Sequence, residues 1–223
     1  MKKQITSGLN RRNFIRNVVF ASATAGGLFQ ILPSYVLGRD GAVSPNEKII
    51  MGGLGIGGRG ASVLEIFLHE PDVRFVAVAD ARLERRKAVK KMVDTKYGDD
   101  KCVVYDDFRQ ILDRTDIDIL LIATGDRWHS LASILAAKAG KDMYCEKPCS
   151  MTIKESIDLR DTIKRYARVY QAGTQRRSVG NFVFAVELAR RGKLGKLQSV
   201  HANTLHPATT QDWLPEEPIP PKE

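Results

Sequence analysis

The stretch that decides the fold is Gly53-Leu54-Gly55-Ile56-Gly57-Gly58-Arg59-Gly60. It follows the apolar run Ile49-Ile50-Met51, which is typical of a buried strand, and it precedes a helix that we predict over residues 61–68. Gly53, Gly55 and Gly58 match the pattern G-x-G-x-x-G. We interpret the first glycine as the tight turn, the second as the point where backbone approaches a pyrophosphate, and the third as the contact of helix with strand. The loop therefore predicts a dinucleotide-binding site.

Strand-like and helix-like stretches alternate after this loop, with short connections between them. Apolar, β-rich runs predict strands at residues 73–79, 103–105, 117–123, 143–145 and 169–172. Helical patterns follow at residues 83–97, 108–112, 131–139 and 153–166. Strands and helices in this order predict an α/β protein with a Rossmann-type, doubly wound parallel sheet.

Asp80 closes the predicted strand 73–79 and follows Gly58 by 22 positions. The acid that binds the adenosine ribose of a dinucleotide lies about 20 residues after the glycine loop. A carboxylate there accepts hydrogen bonds from both ribose hydroxyls and repels a 2′-phosphate, so it favours NAD over NADP. Arg82, Arg85 and Arg86 follow closely, however, and one of them could pair with a 2′-phosphate. The alternative role of Asp80 is to cap the helix that begins near residue 83.

Two polar clusters follow the predicted strands that end near residues 123 and 145. One is Ala123-Thr124-Gly125-Asp126-Arg127-Trp128-His129, and the other is Glu146-Lys147-Pro148. Ligands of doubly wound sheets bind at the carboxyl ends of the strands, so both clusters are expected beside the dinucleotide. A lysine held in this way can donate to a substrate hydroxyl and to the nicotinamide ribose, which suits proton transfer during hydride transfer. Out of context, Glu-Lys-Pro would indicate a surface turn.

These segments together resemble the glucose–fructose oxidoreductase / inositol dehydrogenase (Gfo/Idh/MocA) family. The motifs that carry the likeness are the glycine loop, Asp80, residues 124–129, Ala139-Gly140-Lys141-Asp142-Met143-Tyr144-Cys145-Glu146-Lys147-Pro148 and, as in exported members, residues 171–177. The resemblance implies that Lys147 lies beside the nicotinamide and that Thr124 and His129 border the cofactor. Gly125 departs from the family's usual proline, and Arg127 from the histidine of many exported members.

The predicted site follows from these motifs and from the resemblance. The catalytic residue is Lys147, and no metal is predicted. The cofactor is NAD or NADP, with NAD favoured, and the predicted cofactor-binding residues are Gly53, Gly55, Ile56, Gly57, Gly58, Asp80, Arg85, Thr124, Asp126, His129, Glu146, Lys147 and Gln175.

Residues 1–38 resemble a twin-arginine export signal. Arg11 and Arg12 are adjacent, and residues 17–38 carry no charge but are only moderately apolar. The alternatives are a plain secretory signal or an uncleaved membrane anchor. We therefore expect the twin-arginine export machinery as a partner and a periplasmic or other extracytoplasmic location. The formal net charge of +9 belongs largely to this segment, because the remainder has 30 basic and 26 acidic residues, which argues against nucleic-acid binding.

The regular alternation of strand and helix patterns ends near residue 175. A helix is predicted over residues 182–191 and a strand over residues 195–204, followed by the proline-rich end of the chain. One strand alone cannot satisfy its backbone, so we expect residues 176–223 to be the incomplete start of a C-terminal α/β substrate domain, and residues 39–175 the dinucleotide-binding domain. The resemblance implies that the family's downstream acid and histidine would lie beyond Glu223. The full-length protein is then expected to form a homo-oligomer.

The function that these observations favour is an NAD(P)-dependent oxidoreductase that transfers hydride from or to a CH–OH carbon of a sugar or cyclitol. The 223 residues alone are expected to be inactive, because the substrate domain is incomplete. One alternative is an NAD-dependent glycosidase of the same fold. A second is a non-catalytic dinucleotide-binding module.

Overall fold

The computed structural model describes residues 43–201. They form two compact units, which divide between Gly173 and Thr174. The predicted export signal and residues 202–223 lie outside the described residues, so the expectations about them stay predictions. None of the helices in the described part of the chain is long and apolar enough to span a bilayer.

The first unit, over residues 43–173, alternates strands and helices. The strands are β1 (Ile49–Leu54), β2 (Val73–Ala79), β3 (Val103–Tyr105), β4 (Ile119–Ile122), β5 (Asp142–Cys145) and β6 (Tyr170–Ala172). The helices are α1 (Gly58–Phe67), α2 (Leu83–Tyr97), α3 (Arg109–Leu112), α4 (Asp126–Lys138) and α5 (Ile153–Tyr166). A short 3-10 turn over Pro45–Glu47 precedes β1.

The six strands form one parallel sheet in the order β3-β2-β1-β4-β5-β6. The chain winds outward from β1 to β3, crosses over, and winds outward again from β4 to β6. The carboxyl ends of β1 and β4 are therefore neighbours at the point where the winding reverses, which is where doubly wound sheets bind ligands. The predicted Rossmann-type fold is confirmed.

Two hydrophobic layers explain why the strands are continuously apolar rather than alternating. Leu121 packs with residues of α1 and α2 on one face of the sheet, whereas Leu120 and Ile122 pack with residues of α3 and α4 on the other. Successive side chains of a strand point to opposite faces, so a strand covered on both sides needs apolar residues throughout.

Two helices begin earlier than the sequence predicts. Helix α1 begins at Gly58 rather than at residue 61, and α4 begins at Asp126 rather than at residue 131. In both cases a glycine in extended conformation, Gly57 or Gly125, leads directly into the first turn. The first turn of each helix consists largely of polar residues and glycine, so the apolar periodicity used for the prediction does not extend to it. As a consequence, Asp126 and His129 are helical.

Lys141 stabilises the opposite, amino-terminal edge of the sheet. Its side chain is 5% exposed, and its ammonium donates to the carbonyl oxygens of Ile117, at 2.8 Å, and of Arg114. Both carbonyls belong to the loop that leads into β4. Burial lowers the pKa of Lys141 from its ordinary value. The lysine therefore has a structural role, in which its buried ammonium donates to two carbonyls of the loop before β4.

The second unit, described over residues 174–201, contains a 3-10 turn (Gln175–Arg177) and helix α6 (Gly180–Arg190). The strand predicted over residues 195–204 is absent from residues 195–201, the part of it that the structure describes. This prediction was wrong for those residues. An alternating pattern does not by itself supply a neighbouring strand, and a segment without one cannot form the backbone hydrogen bonds of a sheet.

Candidate functional site

A cavity of about 290 Å³ opens at the carboxyl edge of the sheet, beside the ends of β1, β2 and β4. It brings together four of the predicted cofactor residues, which are Gly55, Asp80, Arg85 and Thr124. The other lining residues are Leu54, Ala79, Ala81, Asp106, Phe108, Gly125, Trp128 and Ala132. Residues that are distant in sequence therefore converge at the edge where the fold predicts a ligand.

The glycine loop matches the dinucleotide pattern in a different frame from the one that we assigned. Gly55 adopts a φ of +65°, and a Cβ there would lie 2.6 Å from the Cα of Thr124. A Cβ at Gly60 would lie 2.8 Å from the Cβ of Ala123, so Gly60 makes the close contact of helix with strand. Gly53 is instead buried within β1 against Phe75. The turn, approach and packing positions are thus Gly55, Gly57 and Gly60.

Gly57 and Gly58 form the start of α1, where backbone N–H groups are available. Gly57 is the N-cap, its N–H donates to the Gly55 carbonyl at 2.9 Å, and its own carbonyl accepts from Ala61 at 2.7 Å. A Cβ at Gly58 would meet no atom within 4 Å, so Gly58 does not make the packing contact that we assigned to it. The first N–H groups of a helix have no intrahelical acceptor and carry the positive end of its dipole. This turn can therefore bind an anion.

Asp80 lines the cavity, and its side chain does not cap α2. Its Oδ1 accepts at 2.9 Å from the backbone N–H of Arg82, which is itself the N-cap residue, whereas a capping side chain accepts from the second or third residue of the helix. Its Oδ2 is buried and accepts no hydrogen bond from the described residues, although the residue lines the cavity. Asp80 is only 8% exposed. A buried carboxylate oxygen without a donor is costly unless a ligand supplies one.

Of the three arginines that follow Asp80, Arg82 contacts it through its backbone N–H, Arg86 has a structural role and Arg85 lines the cavity. Arg86 donates through Nη1 to the carbonyl oxygen of Asp80 at 2.8 Å, which fixes the turn after β2. Arg85 lines the cavity, and its Nη1 lies 4.0 Å from the Asp80 Oδ2 and 3.3 Å from where a Cβ of Gly57 would be. Arg85 therefore extends over the glycine turn and beside the free carboxylate oxygen.

Phe108, Trp128 and Ala132 form an apolar part of the cavity wall that our sequence-based set of site residues does not include. Trp128 was visible as part of the cluster after β4, and a large aromatic residue among polar ones is a usable signal. Phe108 follows β3, and the sequence pattern indicates only that it begins a short helix. Its contribution depends on the neighbouring position of β3 and β2 in the sheet, which a local pattern does not contain.

His129 links two loops instead of lining the cavity. It is 1% exposed, its Nδ1 lies 2.7 Å from the Pro148 carbonyl oxygen, and its Nε2 lies 3.0 Å from the Thr124 carbonyl oxygen. Both ring nitrogens thus face acceptors, and a neutral imidazole can donate to one of them at a time. This geometry gives His129 a positioning role between the turn after β4 and the segment after β5, in place of the direct cofactor contact that we predicted.

The Glu146-Lys147-Pro148 segment follows β5 and contains a cis peptide bond before Pro148. Glu146 is buried; its Oε1 accepts from the Nε of Arg59 at 3.2 Å, and its Oε2 accepts from the backbone N–H of Lys147 at 3.3 Å. The Lys147 side chain is exposed and makes no hydrogen bond or ion pair with the residues that the structure describes. Lys147 is therefore available to an incoming hydroxyl.

The remaining predicted site residues lie outside the cavity wall. Asp126 is exposed in the first turn of α4, where a carboxylate is favoured by the helix dipole. Ile56 is buried in the core between the glycine turn and α1. Gln175 belongs to the second unit. Within residues 43–201, no three or more His, Cys, Asp or Glu side chains are grouped so that they could hold a metal ion.

Comparison with known families gives one match over most of this unit. The pattern of the family described as "Oxidoreductase family, NAD-binding Rossmann fold" matches residues 48–174. This range contains β1 to β6 and every cavity residue.

Curated relatives carry glycosidase names. A "Glycosyl hydrolase family 109 protein" of Saccharopolyspora erythraea is 33% identical over 131 residues, which are 57% of this chain and 28% of that protein. The "Alpha-N-acetylgalactosaminidase" of Shewanella oneidensis is 27% identical over 170 residues, 74% of this chain and 37% of that protein. The chain therefore spans well under half the length of these relatives.

Solved structures share the fold. The myo-inositol 2-dehydrogenase of Lactobacillus plantarum superimposes with a TM-score of 0.60 at 22% identity, over 67% of this chain and 43% of that one. At this level of identity, the likeness shows the fold alone.

Proposed function

The chain belongs to the oxidoreductase family with an NAD-binding Rossmann fold, and from this premise we propose that it binds a nicotinamide dinucleotide at the carboxyl edge of its sheet and serves hydride transfer at a sugar or cyclitol hydroxyl. The proposal assigns the adenosine to the Asp80 side of the edge and the nicotinamide to the Lys147 side. The substrate class, the choice of NAD and the role of each side chain are parts of this proposal.

The observation that carries the proposal is the buried Oδ2 of Asp80. It is an acceptor without a donor among the described residues, at the wall of a cavity that is otherwise largely apolar. Ribose hydroxyls are donors of the required kind, and Oδ1 is held by Arg82, so the carboxylate is already oriented. The free N–H groups at the start of α1 suit the diphosphate, and Phe108 and Trp128 offer the apolar faces on which an adenine ring stacks.

The order of the site residues along the sheet edge matches an extended dinucleotide. Asp80 follows β2, the Gly55–Gly57 turn follows β1, Thr124 follows β4 and Lys147 follows β5, and these four strands are consecutive neighbours in the sheet. Strands lie about 4.8 Å apart. A ligand bound across three such spacings would reach from the ribose-binding carboxylate to the exposed lysine.

Lys147 would handle the proton of the reaction. When bound, the cofactor would accept hydride from a CH–OH carbon at its nicotinamide or return it there. The amino group of Lys147 is exposed and makes no hydrogen bond or ion pair within the described residues, so it can reach the substrate oxygen. As the neutral amine it would take the hydroxyl proton while hydride leaves the carbon, and as the ammonium it would return that proton in the reverse direction. Glu146 accepts from the Lys147 backbone N–H and thereby orients the segment that carries this ammonium.

Asp80 and Arg85 together decide which dinucleotide is preferred. The Oδ2 of Asp80 accepts no hydrogen bond within the described residues and favours a 2′-hydroxyl, whereas Arg85, whose Nη1 makes a long ion pair with this oxygen at 4.0 Å, could pair with a 2′-phosphate. A 2′-phosphate would have to approach a buried carboxylate that cannot move away, because its other oxygen is fixed. We therefore expect NAD to bind more tightly than NADP.

Titration of the 223-residue chain with NAD and with NADP tests the proposal, with intrinsic tryptophan fluorescence as the signal. Trp128 lines the cavity, so a ligand there should change its emission. The Trp128→Phe variant is the matched control, because it should bind but lose most of the signal; calorimetry then measures its affinity. A saturable signal with a lower dissociation constant for NAD is expected. If neither dinucleotide binds by fluorescence or calorimetry, the proposal is wrong.

A second candidate is an NAD-dependent glycosidase, which the names of the relatives favour. Such an enzyme would release an aglycone without net formation of reduced cofactor. Incubating the full-length protein with NAD and free sugars or cyclitols, and separately with aryl α-N-acetylgalactosaminides, distinguishes the two. Reduced cofactor from the former supports the oxidoreductase; aglycone release without it supports the glycosidase. Binding of NAD with neither product would favour the non-catalytic module.

We further propose that residues 1–38 direct export by the twin-arginine route. The support is the adjacent pair Arg11 and Arg12 before an uncharged, moderately apolar stretch. Replacing both arginines by lysine should retain a reporter fused to this segment in the cytoplasm. Export of the double-lysine fusion at the rate of the unaltered one would contradict the proposal.

A further inference from the structure

Arg59 connects the glycine turn to the segment that carries Lys147. It is the second residue of α1, directly after the glycine turn, and its Nε lies 3.2 Å from the Oε1 of Glu146, 87 positions further along the chain. The Glu146 side chain is 5% exposed, whereas that of Arg59 is 54% exposed. The ion pair therefore has one buried member, next to Lys147, and one that faces solvent at the start of α1.

The guanidinium of Arg59 has N–H donors that no described residue accepts from. A guanidinium carries five N–H donors in a rigid plane, and within the described residues only the Nε–H of Arg59 makes a hydrogen bond or ion pair. Its Nη1 and Nη2 make no hydrogen bond or ion pair with the described residues. An arginine can thus hold a carboxylate on one edge and a phosphate on the other.

The position of Arg59 is where a dinucleotide diphosphate would pass. The proposed ribose site at Asp80 lies on the β2 side of the glycine turn, and Lys147 lies on the β5 side. A ligand extending from one to the other crosses the start of α1, where helix N–H groups attract an anion. The unused Nη donors of Arg59 belong to the same turn of that helix.

We propose that Arg59 bridges the diphosphate of the bound dinucleotide and the carboxylate of Glu146, so that cofactor binding and the position of Lys147 are coupled. The inference rests on the proposed function, because it needs a dinucleotide at this edge. Glu146 accepts from the Lys147 backbone N–H through its second oxygen. The chain of contacts thus runs from the ligand through Arg59 and Glu146 to the backbone of the residue proposed to exchange the proton. Arg59 is a binding and positioning residue and does not touch the reacting carbon.

A double-mutant cycle on dissociation constants tests the bridge without an activity assay. NAD, ADP-ribose and adenosine are titrated into the full chain and into Arg59→Gln, Glu146→Gln and the double variant. Arg59→Gln should weaken NAD and ADP-ribose about tenfold, the value of one charged hydrogen bond, and leave adenosine unchanged because it has no phosphate. Arg160→Gln is the matched control, since it removes an arginine from an exposed ion pair on α5.

The cycle also measures the coupling. Glu146→Gln keeps the shape of the side chain but weakens its hold on Arg59, so it should raise the NAD dissociation constant about threefold when Arg59 is present and not at all in the Arg59→Gln background. Equal NAD affinity in the wild type and Arg59→Gln overturns the inference, as does an effect of Glu146→Gln that is the same in both backgrounds. If Glu146→Gln does not fold, the comparison of Arg59→Gln with Arg160→Gln over the three ligands decides alone.

The two proposals fail in different ways. If the wild type binds neither NAD nor ADP-ribose, the dinucleotide site itself is wrong. If the wild type binds both and Arg59→Gln binds them equally well, only the bridge is wrong.

Discussion

The Nδ1 of His129 lies 2.7 Å from the carbonyl oxygen of Pro148, across 19 positions of the chain. Its Nε2 reaches the carbonyl oxygen of Thr124 on the other side of the ring. One buried imidazole therefore joins the turn after β4 to the segment that carries Lys147. Arg59 reaches the same segment from α1 through Glu146. The exposed lysine is thus held by a backbone that two helices fix from both sides.

Replacing His129 with leucine should destabilise the chain by about 2 to 4 kcal/mol, because the buried ring loses its contacts with the Thr124 and Pro148 carbonyl oxygens, to one of which the neutral imidazole donates. Thermal or urea unfolding followed by circular dichroism measures the change. His69→Leu is the control, because that histidine is exposed, lies just after α1, and its ring hydrogen-bonds only to the nearby carbonyl oxygen of Glu65 among the described residues; it should stay within about 0.5 kcal/mol of wild type. Equal stability of the two variants would contradict the linking role.

Alanine substitutions should distinguish the glycines of the loop. Gly55→Ala should cost roughly 2 kcal/mol or more and abolish NAD binding, because the residue has a positive φ and its Cβ would collide with the backbone of Thr124. Gly60→Ala should cost about 1 to 3 kcal/mol through its contact with Ala123.

Gly58→Ala is the control within the same loop. Its Cβ would meet no atom within 4 Å, so the change should stabilise the chain by about 0.5 kcal/mol through the unfolded state. Unfolding midpoints in urea provide the comparison. A larger loss of unfolding free energy in Gly58→Ala than in Gly60→Ala would favour the frame that begins at Gly53.

Asp80→Asn should raise the dissociation constant for NAD about tenfold and reduce the preference for NAD over NADP. The amide keeps an acceptor for Arg82 but carries no charge to bind the ribose hydroxyls or repel a phosphate. Calorimetric titration with both cofactors measures the ratio. Asp161→Asn, on the exposed face of α5, removes an equal charge and should leave both constants unchanged. An unaltered NAD to NADP ratio in Asp80→Asn would remove this residue from the specificity argument.

Stability should fall at high pH through Cys102. Burial, and secondly the charge of Asp94, raises the pKa of this thiol from 9.0 to about 12. A raised folded-state pKa means that the neutral thiol contributes fully below pH 9 and that this contribution is lost as pH rises towards 12. Between pH 9 and pH 12, the free energy of unfolding of Cys102→Ala should therefore fall less than that of the wild type. Urea unfolding at each pH measures both. Parallel curves would show that the thiol does not titrate in this way.

Thiol labelling of the folded chain should follow burial. Cys149 is half-buried, whereas Cys102 and Cys145 are buried, and burial raises the pKa of the Cys145 thiol as well. A thiol-specific reagent at neutral pH should modify Cys149 first and the other two only upon unfolding, because the thiolate is the reactive form. Mass spectrometry of peptides identifies the order, and early labelling of Cys102 would contradict the burial.

Several elements were predictable to the residue. The bounds of β2, α2, β3 and α5 agree with the sequence pattern, because the strands are apolar runs and the helices have helical patterns, each bounded by charged or turn residues. The alternation of these elements was also sufficient for the parallel, doubly wound sheet. Asp80 was found from its spacing to the glycine loop, and the structure places it at the cavity.

The frame of the glycine loop needed tertiary contacts. The loop contains two overlapping matches to G-x-G-x-x-G, which begin at Gly53 and at Gly55. Only the approach of Thr124 to Gly55 and of Ala123 to Gly60 distinguishes them, and both partners follow a strand more than 60 positions away. The pairing of Arg59 with Glu146 and the inclusion of Phe108 depend in the same way on strand order. A local sequence pattern cannot predict contacts between residues that are this far apart in the chain.

Lys141 and Lys147 stand at opposite ends of β5, a strand of four residues. Lys141 is buried at the amino-terminal edge of the sheet, where it donates to backbone carbonyls. Lys147 is exposed to solvent at the carboxyl-terminal edge. The ten-residue stretch Ala139–Pro148 therefore separates a lysine that stabilises the sheet from the lysine that we propose for proton transfer. A substitution confined to Lys147 would leave the contacts of Lys141 in place, so the sheet should persist where the proposed proton transfer is lost.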